Sequence, residues 1–166
     1  MAGIAALAVA YVMSQFYRSF LAVLTPVLTA EIGMTKAMLA LASGAWFVAF
    51  ALSQFAVGIW LDRYGPRRTC ALLLGLFGAG GAMVFAAADG PWWIVVAMGL
   101  IGIGCSPVLM GALYIFAHDF APARFAVLTS LVIAFGSAGN VIGTAPMAGA
   151  VSAFGWRPTM LAFGGV

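Results

Sequence analysis

The chain has 166 residues, of which 65% are hydrophobic and only 7% charged, with a mean hydropathy of +1.15 and a formal net charge of +3. A soluble domain carries about 25% charged residues, so this composition excludes a cytosolic enzyme, a nucleic-acid binder and a disordered chain. What remains is an all-α integral membrane protein with lipid as its main solvent.

The N-terminus lacks a basic n-region, and its apolar stretch runs past signal-peptide length, so it reads as a first membrane helix. A bilayer core needs about 20 apolar residues per helix. The chain order then predicts spans at 4–28, 37–60, 69–88, 92–115 and 125–150, with a sixth beginning at 157. Polar joints separate them: Glu31 to Lys36, Asp62 to Arg68, Asp89 to Pro91, His118 to Arg124, and Gly155 to Pro158. The sixth segment stops at Val166, too short to cross, so the sequence reads as a fragment cut inside a helix.

Orientation follows from Lys and Arg in the joints. Arg63, Arg67, Arg68 and Arg124 fall on one side, Lys36 and Arg157 on the other, which favours a cytoplasmic N-terminus. Trp92 and Trp93 fit an outer aromatic belt and Trp60 an inner one. Glycines cluster inside the spans, including the Gly139/Gly143 pair, where small residues let helices approach closely. Pro107 and Pro146 fall within spans and invite kinks. Cys70 and Cys105 lie in apolar runs without ligand-like spacing and read as buried thiols.

One full charge, Arg18, lies inside a span. An arginine at the bilayer centre is costly, and by helical rise it sits roughly 15 Å from the outer end of its span. It therefore faces a wet cavity or a partner. Tyr11, Gln15 and Arg18 share one helical face, with Ser14 and Thr25 near the same stripe. The same depth arithmetic brings Asn140, Trp46 and Phe47 to its level, with Gly102 to Ser106 on the fourth span. Tyr11, Gln54 and Tyr114 form a second polar tier toward the cytoplasm. The acidic residues Glu31, Asp62, Asp89 and Asp119 all lie at membrane edges. A guanidinium without an embedded carboxylate suits the carboxylate or phosphate of a small anionic solute. Arg18, Gln15, Tyr11, Trp46, Asn140 and Tyr114 are the candidate binding residues. The alternative is that Arg18 pairs with backbone carbonyls or with a carboxylate outside this sequence.

The joint after the second span reads Gly58-Ile-Trp-Leu-Asp62-Arg63-Tyr-Gly65-Pro66-Arg67-Arg68. This resembles the signature loop of the major facilitator superfamily: a glycine, three residues, then Asp-Arg-x-Gly and a basic pair. Pro66 departs from it, standing where many members carry a basic residue. Pro26 followed by Glu31-Ile-Gly-Met-Thr, Trp46-Phe47, Gly102-Ile-Gly104 and Phe154-Gly155-Trp156-Arg157 extend the resemblance over essentially the whole chain. Met98 replaces the arginine that often precedes the glycines of the fourth helix, which weakens any proton-relay role there. The resemblance implies the first six-helix half of a twelve-helix transporter, lacking most of helix 6. In such a half, helices 1, 2, 4 and 5 line the cavity.

It also implies a cytoplasmic latch at Gly58, Asp62, Arg63, Gly65, Arg67 and Arg68, closing one conformation and breaking in the other. The plainer reading of Arg67 and Arg68 is that they enforce topology. The expected function is movement of a small anionic organic solute by alternating access in the plasma (bacterial inner) membrane. The expected partners are lipid and a missing C-terminal six-helix half. The alternative is a non-transporting scaffold, sensor or half-size assembly partner on the same frame. No enzymatic activity, cofactor, metal or nucleic acid is expected, because no catalytic or ligand-type cluster occurs in the sequence. Proton coupling has no ionisable group here except His118, so coupling resides elsewhere or the protein is a uniporter or exchanger.

Overall fold

A computed structural model describes the backbone of residues 2–164 and the side chains of 8–137, 144 and 146–162. The chain is all-α. The helices are α1 (Ala2–Ile32), α2 (Lys36–Tyr64), α3 (Pro66–Leu73), α4 (Gly80–Ala86), α5 (Pro91–Asp119), α6 (Pro122–Phe154) and α7 (Trp156–Gly164). A π-helical turn, Leu74–Ala79, joins α3 to α4, so the predicted third span is one rod with a wide turn in it, ending at Ala86. Among the described residues, three helical stretches are long and apolar enough to cross a bilayer: 36–64, 66–86 and 91–119.

The joints are shorter than the polar runs that predicted them. Asp62 and Arg63 belong to the last turn of α2, and Arg67 and Arg68 to the first turn of α3. The whole joint is Gly65, at φ 78° and ψ 162°, with its N–H donated to the Leu61 carbonyl at 3.0 Å. That conformation is open essentially to glycine alone. Gly155 repeats it between α6 and α7, at φ 82° and ψ 164°, donating to the Val151 carbonyl. Pro66, Pro91 and Pro122 each open a helix, where a missing N–H leaves no bond unmade. Thr35 caps α2 by accepting from the Met38 N–H at 3.2 Å.

Prolines inside the helices do not end them. α1 continues past Pro26 to Ile32, because leaving the helix inside lipid would strip backbone groups of their partners. At Pro107 of α5 the carbonyl orphaned by the missing N–H belongs to Ile103, and the Ser106 hydroxyl donates to it at 2.7 Å. Neighbouring helices bind the same turn. Gln54 of α2 donates Nε2–H to the Ser106 carbonyl at 3.3 Å, and the Cys70 thiol of α3 donates to the Pro107 carbonyl at 3.4 Å. Both cysteines are buried and free.

α5 is the central helix. It packs against α2 on one side and the third span on the other, while α1 pairs mainly with α6 and α7 lies against α4. Lipid supplies no hydrophobic drive between helices, so close backbone approach and van der Waals contact hold the bundle. The small residues are placed accordingly. A side chain on Gly104 would overlap the Gly78 backbone, and one on Gly102 would overlap the Trp46 carbonyl. Larger groups fill the core toward the end where α4 meets α7, where Phe20 and Phe85 are fully buried with ring centroids 5.1 Å apart. Phe55, Leu76 and Phe154 instead point outward and are largely exposed, as a lipid-solvated surface requires.

Candidate functional site

The residues predicted to share a cavity divide among three places. Arg18 lies exposed on α1 and, among the described residues, makes neither an ion pair nor a hydrogen bond. Its guanidinium carbon sits over the Phe47 ring of α2, 5.0 Å from the centroid. It borders an open recess of about 310 Å³ between α1 and α2, at the low end of the roughly 300–1,000 Å³ typical of small-molecule sites. The polar lining is Arg18, Ser19, Thr25 and Ser43. The Ser19 hydroxyl leans on the Phe16 and Gln15 carbonyls of its own helix, and Thr25 donates to the Leu21 carbonyl at 3.0 Å.

Tyr11 and Gln15 are linked to each other, Gln15 Nε2–H donating to the Tyr11 hydroxyl at 3.0 Å. They face α6, where Gly136 leaves room for the Tyr11 ring: a side chain there would overlap it. Trp46 is buried in the core behind the recess, 4% exposed, and touches Phe47 edge-on (5.0 Å, 79°) and Phe50 face to face (5.1 Å, 13°). Its indole N–H is buried without a partner among the described residues. Tyr114 stacks on His118 at 5.6 Å and packs with Val57, Leu61 and Leu73, on the opposite side of α5 from the Tyr11 cluster. The side chain of Asn140 lies outside the described residues. The structure therefore brings Arg18, Phe47 and Ser43 together, supported by Trp46, with Tyr11 and Gln15 along the same helix and Tyr114 apart.

At the other candidate, the α2–α3 joint, Asp62, Arg63, Arg67 and Arg68 are all exposed. Arg63 lies over the Tyr64 ring at 5.6 Å, and Asp62 makes no ion pair among the described residues. Nothing lies within 4 Å of where a Gly58 side chain would begin, so this face of α2 is open. Thr69 donates to the Trp60 carbonyl at 3.0 Å and fixes α3 to the end of α2.

A third polar cluster gathers around Arg157. Arg157 donates to the Ala86 and Ala88 carbonyls at 3.1 and 2.8 Å, satisfying the open end of α4. It also approaches Asp89 at 3.7 Å and covers the Trp156 ring. The Trp156 indole donates to Glu31 at 2.6 Å. The Gly155 turn thus bolts the ends of α1 and α4 to α7.

Residues 7–166 match the Major Facilitator Superfamily. The chain is 25% identical over 157 residues to a protein of Cupriavidus necator named "Probable sulfoacetate transporter SauU". That match covers 94% of this chain and 36% of the other, so the chain spans little more than a third of the relative's length.

Proposed function

The chain belongs to the Major Facilitator Superfamily, and from that premise we propose that it is the N-terminal half of a transporter that moves a small organic anion by alternating access. In this reading 1–166 is one half-domain, a second six-helix half completes the path, and the protein sits in the plasma membrane with its N-terminus cytoplasmic. Arg18 binds the anionic group of the solute, with Gln15, Tyr11 and Asn140 extending the polar wall and Tyr114 lying on the cytoplasmic side.

The observation that carries the reading is the state of Arg18. It stands in an open recess, and among the described residues no carboxylate neutralises it. The four acidic residues of the chain are at helix ends or joints: Glu31 near the end of α1, Asp62 in the last turn of α2, Asp89 before α5 and Asp119 at its end. A forked cation with its donors unspent matches a carboxylate or sulfonate. The relative's name, "Probable sulfoacetate transporter SauU", points to the same solute chemistry. The latch follows similarly: among the described residues Asp62 makes no ion pair, and Gly58 leaves α2 open beside it, so both are available to another helix as the halves rock.

The test is uptake of radiolabelled sulfoacetate, with acetate and malonate as competitors, by the native protein in proteoliposomes. Arg18→Ala is expected to abolish saturable uptake and Arg18→Lys to weaken it at least tenfold, since an ammonium cannot form the fork. Uptake unchanged in both variants overturns the reading.

A further inference from the structure

An arginine that binds a passing anion has to be held in place by something that does not consume its donors. A carboxylate partner would occupy the N–H groups and neutralise the charge; an aromatic face does neither. Phe47 is such a face. The Arg18 guanidinium carbon is 5.0 Å from its centroid, inside the roughly 6 Å reach of a cation–π contact. Phe47 is 47% exposed and Arg18 is exposed too, so the contact leaves the guanidinium accessible.

Phe47 is itself held from behind. The buried Trp46 meets it edge-on at 5.0 Å and is stacked on Phe50 at 5.1 Å. The Trp46 backbone is pressed against Gly102 of α5, where there is no room for a side chain. A line of contacts therefore runs from the central helix through Gly102, Trp46 and Phe47 to Arg18. We propose that Phe47 is a positioning residue for Arg18, aiming its guanidinium while leaving all its N–H donors to the solute, with Trp46 as its backing. This rests on the reading of Arg18 as the anion-binding group. It also gives Trp46 a supporting role behind the recess in place of the direct solute contact expected from its depth.

The experiment uses the native protein in lipid, with two readouts. By NMR, the Arg18 guanidinium signal, identified by its loss in Arg18→Lys, is expected to be displaced by the aromatic ring current and to move in Phe47→Leu toward the signals of Arg67, Arg68 and Arg124, which lie over no ring among the described residues. In transport, Phe47→Leu is expected to raise the half-saturating concentration of sulfoacetate about two- to fivefold, as suits a contact at a half-exposed site. The maximal rate should hold, and Phe47→Tyr and Phe47→Trp should restore the wild-type value. In an Arg18→Lys background the effect of Phe47→Leu should shrink. An Arg18 signal unmoved by Phe47→Leu overturns the proposal, as does a Phe47→Trp variant as impaired as Phe47→Leu. Sulfoacetate uptake indifferent to Arg18→Lys, with the ring-current displacement intact, overturns the anion-binding reading and leaves the contact standing.

Discussion

Replacing Gly102 by alanine should separate α2 from α5 although it adds one methyl group. A Cβ at this position would overlap the Trp46 carbonyl oxygen, and would also lie 3.1 Å from its carbon and 3.2 Å from the Trp46 Cα. Carbon pairs are at their best at about 3.5–4.0 Å. All three opposing atoms are backbone, so no side-chain rotation relieves the contact and α2 has to retreat as a body. A gap of 0.5–1 Å forfeits roughly a quarter to a half of each dispersion contact across it. The contacts at stake are those of Ala42, Trp46, Val57 and Leu61, the buried residues of α2. Overpacking of this kind costs about 1–3 kcal/mol.

Gly99 is the control, because it lies on the same helix and has nothing within 4 Å of an added Cβ. Gly99→Ala should be neutral or stabilising by up to about 1 kcal/mol. The assay is the free energy of unfolding of both variants in bicelles, measured by steric trapping. Equal stability of Gly102→Ala and Gly99→Ala would refute the close approach of α2 to α5. It would also remove the backing that holds Trp46 and Phe47 in place.

Other substitutions probe the remaining polar clusters. Arg157→Ala should cost about 1.5–3 kcal/mol through its two bonds to carbonyls, with Arg157→Lys recovering less than half of it. Asp89→Asn should cost next to nothing, because that pair is long and exposed; a large Asp89 effect in an unfolding assay would contradict this. Gly65→Ala should destabilise by about 1–3 kcal/mol through its backbone conformation alone, whereas Gly58→Ala should not, since its surroundings are open. Cys70 and Cys105 should resist a membrane-permeant maleimide in the folded protein and react after denaturation, as buried thiols do. Asp62→Asn should leave unfolding within about 0.5 kcal/mol of wild type, and on the latch reading should still depress transport in proteoliposomes.

The helices were legible in the sequence because lipid demands long apolar runs, and Pro66, Pro91 and Pro122 mark three helix starts. The length of the joints was not. Asp62, Arg63, Arg67 and Arg68 look like a loop by polarity, yet they belong to two helices meeting at Gly65, and only the conformation of that glycine shows it. Depth along a span followed from helical rise, which placed Phe47 at the level of Arg18. Direction around the helix did not follow. In a chain solvated by lipid, apolar residues face outward as readily as inward, so no polar stripe told Trp46, which is buried, from Phe47, which is half-exposed and meets Arg18. Tyr114 escaped for the same reason. Arg157 gave no local signal, because its partners at Ala86 and Ala88 are brought near by the packing of α7 on α4.

The wide turn in the third span changes how that stretch of sequence has to be counted. Leu73 and Gly78 are both buried. At 3.6 residues per turn, positions five apart would diverge by about 140°, and Gly78 would swing away from the Gly104 backbone it now lies against. The π-helical turn absorbs one residue and keeps both halves of the rod facing α5. Deleting a single residue between Leu74 and Ala79 would therefore restore an ordinary α-helix with its inner face continuous. The same deletion in α5 would rotate everything beyond it out of register. In comparing this chain with its relatives, a one-residue gap in the third span is a change of pitch, and the residues on either side of it still correspond.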